Sequence, residues 1–144
     1  MKALTIYRPW TWAICHPGPR AKRVENRNWT PPPWLIGTDL AIHAGKQYDD
    51  EEADRFITSI IGERPPRPSA CPQGIVAVAR VTGFRNRDGG TPHPDNPWFV
   101  GPVGWMIENV RVLPNPVPCR GAQGIWIVPT VVKIEVTMQL EAMR

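Results

Sequence analysis

The chain predicts a single α+β domain over residues 1–144, built from five or six short strands and one clear helix and compatible with a small barrel. Three observations carry this. Short apolar runs recur between turn-forming residues at 3–7, 39–45, 74–84, 103–113 and 124–129. The stretch 49–61 carries the clearest helical periodicity. The 18 prolines, well above the usual ~5% share, confine every helix and central strand to the intervals between them. A chain of 144 residues has the modal size of one domain and can bury roughly two thirds of its unfolded surface. Its 42% hydrophobic and 21% charged content excludes wholesale disorder.

In chain order, ALTIY (3–7) reads as a strand that Pro9 ends. WTWAICH (10–16) gives about two helical turns with Trp10, Ala13 and Ile14 on one face, stopped by Pro17–Gly18–Pro19. Residues 22–29 follow as strand or extended loop, and Pro31–Pro32–Pro33 as a rigid connector. DLAIHAG (39–45) reads as a buried strand. The helix at 49–61 starts at Asp49 or Asp50 as cap, with Glu51 and Glu52 on the positive end of the dipole. Ala53, Phe56, Ile57, Ile60 and Ile61 form its apolar stripe. The acidic run Asp49–Asp54 is a solvated helix start. Pro65, Pro66, Pro68 and Pro72 make an irregular loop, 74–84 is the strongest strand, and 86–97 is a polar loop. The tail alternates as a strand would at Val132, Ile134, Val136, Met138 and Leu140. Val132, Val136 and Leu140 also suit a helix after Pro129, and the helix is the reading adopted.

Cys15, Cys71 and Cys119 are odd in number and scattered, which argues against a disulfide scaffold and for a reducing compartment. No Cys-x-x-Cys or His-x-x-x-His spacing occurs, so no metal is expected. No signal-peptide core and no apolar run approaching ~18 residues is present, so a cytoplasmic protein with no membrane partner is expected. The net charge is +4. It is uneven: Lys2, Arg8, Arg20, Lys22, Arg23 and Arg27 face only Glu25 within residues 1–36, whereas 37–64 is acidic. A basic end is common in small proteins, and it also permits a basic face for phosphates.

KRVENRNW (22–29) concentrates this charge. Lys22 can hold a phosphate or carbonyl oxygen, or act as nucleophile if desolvated. Glu25 can accept from an exocyclic amine or serve as a general base. Arg27 offers a planar fork to a phosphate or a base edge. The plain alternative is a structural Lys–Glu–Arg network. Seven tryptophans leave some rings over for stacking. Trp29, Trp98 and Trp105 are the stacking candidates. Trp10, Trp34 and Trp126 lie in apolar contexts and are assigned to the core. His43 is either a cleft-rim residue or a satisfied core histidine, and Lys46 either reaches a phosphate or is solvated. Arg8 and Arg120 are further phosphate candidates. Cys119 reads as a small packed side chain.

MKALTIYRPW, KRVENRNW, LAIHAGK, GIVAVARVTG and the run from PWFVGPVGW to GAQGIW, in this order and covering nearly the whole chain, resemble the ASCH domain of the PUA-like superfamily. That family's signature is Gly-x-Lys-x-x-Glu-x-Arg. Lys22, Glu25 and Arg27 match its last three positions, while Arg20 stands where the glycine would be. The resemblance implies a small PUA-like β-barrel with flanking helices and a cleft lined by the signature. It implies a partner that is RNA, another single-stranded nucleic acid or a modified nucleoside, bound by Arg8, Lys22, Glu25, Asn26, Arg27, Trp29, His43, Lys46, Trp105 and Arg120. It also carries an enzymatic alternative with no cofactor: hydrolysis of an acylated cytidine nucleoside or of RNA, with Lys22 and Glu25 catalytic. In the family's nucleoside hydrolases the lysine works with a threonine and a separate glutamate. Here Glu25 occupies the expected place of that threonine. The oligomeric state is left open.

Overall fold

The computed structural model describes residues 1–88 and 90–144. The elements are β1 (Lys2–Arg8), α1 (Trp10–Cys15), β2 (Val24–Arg27), a 3₁₀ turn (Pro33–Leu35), β3 (Thr38–Tyr48), α2 (Glu51–Ile61), β4 (Gly74–Asn86), β5 (Val103–Val117), β6 (Ile125–Ile127) and α3 (Thr130–Ala142). The α+β class holds, and the tail is a helix. None of the described helices is long and apolar enough to cross a membrane.

The strands form one mixed sheet in the order β2-β5-β4-β3-β1-β6. β1 and β3 run parallel, and the other pairs run antiparallel. β6 covers β1 only along Lys2–Leu4. The second half of β1 therefore keeps one edge without a strand beside it. β2, at the opposite end of the sheet, reaches that edge through a side chain: Arg27 Nη2 donates to the Thr5 carbonyl at 3.1 Å.

β4 and β5, at 13 and 15 residues, are longer than the sequence runs suggest. Register shifts between Ile75 and Ala77, Val78 and Arg80, and Val81 and Gly83 let a long pair bend while it stays paired. Pro114 and Pro116 are tolerated in β5 because they lie between the Val112–Ala77 and Val117–Ile75 pairs, where the register shift takes residues 113–116 out of the ladder and a missing N–H breaks no ladder bond.

Three apolar clusters hold the layers together. The largest, inside the curved sheet, includes Leu4, Ile6, Leu40, Ile42, Val81, Trp105 and Ile107. A second packs α3 through Val136 onto Ala3, Ala41, Val78 and Leu113. Gln139 fixes this helix further, accepting from Asn115 N at 3.0 Å and donating to Asn115 O at 2.9 Å. The third joins α1, α2 and β2 through Ala13, Val24, Ile57, Ile61, Trp98 and Phe99. Asp50 caps α2 by accepting from Ala53 N at 3.0 Å, and Gly62 ends it at φ 81°. Trp34 does not belong to the core: it is 54% exposed, with the Lys2 ammonium over its ring.

Arg8, a phosphate candidate on sequence grounds, is an internal staple instead. Only 4% of it is exposed. Its guanidinium donates to the carbonyls of Gly45 (2.9 Å), Lys46 (2.8 Å), Pro68 (2.6 Å) and Cys71 (2.9 Å). It thereby ties β1 to β3 and to the proline-rich loop after α2. An ammonium cannot span four such acceptors. Arg8→Lys is expected to cost about 2–4 kcal/mol and to lower Tm by roughly 5–15 °C. Calorimetry checks this, and an unchanged Tm contradicts the staple.

Candidate functional site

A cavity of about 300 Å³ opens between β2 and the open edge of β1, lined by Thr5, Ile6, Tyr7, Trp10, Lys22, Glu25, Asn26, Arg27 and Asp49. It lies at the C-terminal ends of the parallel strands β1 and β3, where open α/β sheets commonly bind ligands. Its volume is at the lower end of small-molecule sites, ~300–1,000 Å³.

The floor is a chain of charges. Lys22 and Glu25 are only 3% and 8% exposed. Lys22 Nζ donates to the Val24 carbonyl and, at 2.9 Å, to Glu25 Oε1. Arg27 Nε lies 3.0 Å from Glu25 Oε2, but its N–H is not aimed there and makes no hydrogen bond. Two strand residues and one turn residue converge because Lys22 N is held by the Ala13 carbonyl at 3.0 Å, under α1. The turn that delivers Lys22 closes through Ala21 N to Gly18 O at 3.2 Å. Asn109 is the sole non-glycine with positive φ among the described residues, so Arg20 sits in this turn without left-handed strain.

The walls are aromatic. The Trp10 ring lies 5.9 Å from Lys22 Nζ, and its indole N–H donates to Asp49 Oδ2 at 2.8 Å. Tyr7, 47% exposed, stands at the mouth. Neither ring is among the sequence-derived stacking candidates, and Asp49 is read there as a solvated helix start. A signal was available for two of them: Tyr7 is out of phase with the buried Leu4 and Ile6 of its strand, and Trp10 opens a helix directly after that strand.

The other sequence candidates go elsewhere. Trp105, opposite Glu25 in the β2–β5 register, is fully buried. Its N–H donates to the Trp29 carbonyl at 2.9 Å and its ring meets Trp29 edge-on at 4.7 Å. Trp29 is half-buried against the main core and does not line the cleft. Trp98 is buried, with its N–H on the Arg20 carbonyl at 3.0 Å. These rings fill space, which rules out Trp105 and Trp98 as stacking surfaces. His43 is the satisfied core histidine. Its Nε2 donates to the Cys119 carbonyl at 2.9 Å, so Nδ1, 3.1 Å from Thr5 Oγ1, accepts the threonine hydroxyl. Asn26 lines the cleft, but its amide is engaged, donating to Trp98 O (2.9 Å) and accepting from Val100 N (3.1 Å) and Gly101 N (3.0 Å). Lys46 and Arg120 are exposed and do not line the cavity.

The cleft is therefore not basic. Lys22 and Arg27 are matched by Glu25 and Asp49, since Arg8 is spent internally. What remains for a ligand is the third Lys22 N–H, the outer lone pairs of Glu25 and the remaining edge of Arg27, between two rings. That set suits a flat, neutral heterocycle with donors beside acceptors. Among the described residues no cluster of three or more His, Cys, Asp or Glu is placed to hold a metal ion.

No family model matches this chain, and no curated protein does.

Burying an ion pair is affordable only while it stays a pair. Lys22→Met is expected to cost about 3–5 kcal/mol, and Lys22→Met/Glu25→Leu less than the sum of the two single changes. Denaturant titration of the four proteins checks this, and strict additivity contradicts the coupling.

The cysteines are packing residues. Burial, against a smaller opposing effect from Arg23, pushes the Cys15 thiol up to about 12, and burial also raises Cys71 and Cys119. The folded thiol keeps its proton to higher pH than the unfolded one. Its contribution to stability is thus complete below pH 9.0 and is lost as pH rises toward 12. Alkylation at pH 8 is expected to label the half-buried Cys119 before Cys15, whose thiol is held further from its thiolate; mass spectrometry showing Cys15 first contradicts this.

Proposed function

We propose that this cleft recognises a single nucleobase, presented by RNA or by a modified nucleoside. The observation that carries the reading is the Lys22–Glu25–Arg27 floor in a cavity that Tyr7 and Trp10 also line. A base enters over this floor and stacks on the exposed Tyr7 ring. Its polar edge receives from Lys22 or Arg27 and donates to Glu25. The ordered resemblance of the chain to the ASCH domain supports this, because the matching signature residues are those of the floor. The same resemblance supports reading the curved sheet as a PUA-like barrel, with the Arg27–Thr5 bond drawing its two ends together. The near-neutral cleft favours contact with a base over contact with its phosphate.

Base stacking is worth ~1–3 kcal/mol. Tyr7→Ala is therefore expected to weaken binding of ribonucleosides or N-acylated cytidine by roughly 5- to 150-fold. Glu25→Gln is expected to reduce discrimination between bases. Chemical-shift titration measures both, with folding read from the same spectra. No wild-type binding at millimolar nucleoside, or binding indifferent to both changes in folded protein, sinks the reading.

A second reading, hydrolysis of an acylated cytidine or of the RNA backbone, is favoured by one observation. Lys22 is a desolvated amine in hydrogen bond with a carboxylate, the pairing from which a nucleophile and its base are made. Turnover in the presence of chelator, lost in Lys22→Ala and Glu25→Ala, supports it. Binding of acylated cytidine without turnover leaves the recognition module.

A further inference from the structure

Arg85 is the penultimate residue of β4 and Arg87 follows the strand, and among the described residues neither has a carboxylate within ion-pair distance. Both are ordered by an aromatic ring instead. Their guanidinium carbons stand 5.5 and 5.6 Å from the Phe99 centroid, and Arg87 Nη1 donates to the Phe99 carbonyl at 3.1 Å. Phe99 is itself buried and stacked on His93 at 5.9 Å. A guanidinium parked on a fixed ring loses little further freedom when it binds an anion, and its outer N–H groups remain available.

This pair lies on the face of the sheet that carries the Asn26 side chain, around the β2 edge from the Glu25 and Arg27 side chains of the cleft floor. In the sheet Arg85 lies opposite Gly104, and Gly104 opposite Asn26, which lines the cavity. Two strand spacings, roughly 10 Å, separate them. Gly104 leaves room for the Phe99 ring to lie across that interval: a Cβ there would come within 2.6 Å of it. Asn26 holds the backbone of Trp98, Val100 and Gly101 by three hydrogen bonds, so the segment carrying the ring is fixed to the strand that borders the cleft. Arg20 and Arg23 line a second hollow beside Trp98, together with Asp95. The exposed acids of the loop are Asp88 and Asp95.

We propose that Arg85 and Arg87 form a phosphate-binding site for a single-stranded nucleic acid whose base occupies the cleft. The inference rests on the base-binding reading and extends it from a nucleoside to a strand. A neutral cleft with a cationic shoulder separates the two tasks: the cleft reads one base, and the shoulder holds the backbone of its neighbours. A free nucleoside makes no use of the shoulder.

The test compares wild type, Arg85→Gln/Arg87→Gln and Arg85→Lys/Arg87→Lys. Anisotropy follows a randomised octaribonucleotide across salt, and chemical shifts follow the four ribonucleosides. The glutamine variant is expected to bind the octamer roughly tenfold more weakly at low salt and to flatten the log–log salt slope by about 1.4. Its nucleoside binding should not change, and the lysine variant should keep the slope. An unaltered slope and affinity in the glutamine variant, with nucleoside binding intact, overturns the phosphate site alone. So does displacement of the octamer by poly-glutamate as readily as by unlabelled RNA. Octamer binding that needs Arg85 and Arg87 but is indifferent to Tyr7→Ala and Glu25→Gln overturns instead the base-in-cleft reading on which the proposal rests.

Discussion

A lysine ammonium taken out of water must be met by charge and by hydrogen-bond acceptors, or the fold that buries it fails. Lys22 meets this condition with one carboxylate and one carbonyl, and those partners fix much else. Glu25 must point inward from β2, which puts Arg27 on the same face two residues later. Arg27 then reaches the Thr5 carbonyl of β1, four places along the strand order. The backbone of Lys22 is held under α1, which sets Trp10 over the ammonium. One buried charge thus links a helix, an edge strand and the open edge of β1, and the space between them is the cleft. Because protein groups already hold Lys22 and Glu25 and leave only the Arg27 Nε–H without a hydrogen bond, the cleft is arranged before any ligand arrives.

Local physics made much of the fold legible. The 49–61 helix carries its cap, its first-turn acids and its apolar stripe within one segment, and α2 matches it. The valine-rich run from Gly74 needs burial on both faces, and β4 is the central strand that supplies it. The three-charge motif was legible for the same reason: its members are three and two residues apart. What escaped depends on distant partners. Arg8 looks like any exposed cation until carbonyls 37 and 63 residues away close on it. Which tryptophans face solvent is decided by strand register, and the β2–β5 pairing placed Trp105 behind Glu25 instead of beside the cleft. Asp49 reads as a helix flank because its partner, the Trp10 indole, is 39 residues away. The long, bent β4 and β5 depend on bulges that no apolar count reveals.

Charge shows the same division. The excess of Lys and Arg in residues 1–36 suggests a basic cleft, yet folding disperses it. Arg8 goes inward, Lys22 and Arg27 share one carboxylate, and Arg23 donates to the Ile14 and Lys22 carbonyls. The cations left near the cleft without carboxylate partners come partly from β4, which the composition of the first segment does not indicate. Recognition of a base and attraction of a backbone are thereby assigned to adjacent surfaces with different electrostatics.

The side-chain ammonium of Lys22 can be observed by nitrogen-detected NMR in the free protein and during addition of ribonucleosides. The expected result is a lysine NH₃⁺ resonance protected from exchange near neutral pH, coupled to Val24 and Glu25 and moving as a nucleoside fills the cleft. A Lys22 signal that exchanges as freely as a surface lysine would contradict the buried ion chain. A protected signal that stays still while nucleoside binds would contradict its role in recognition.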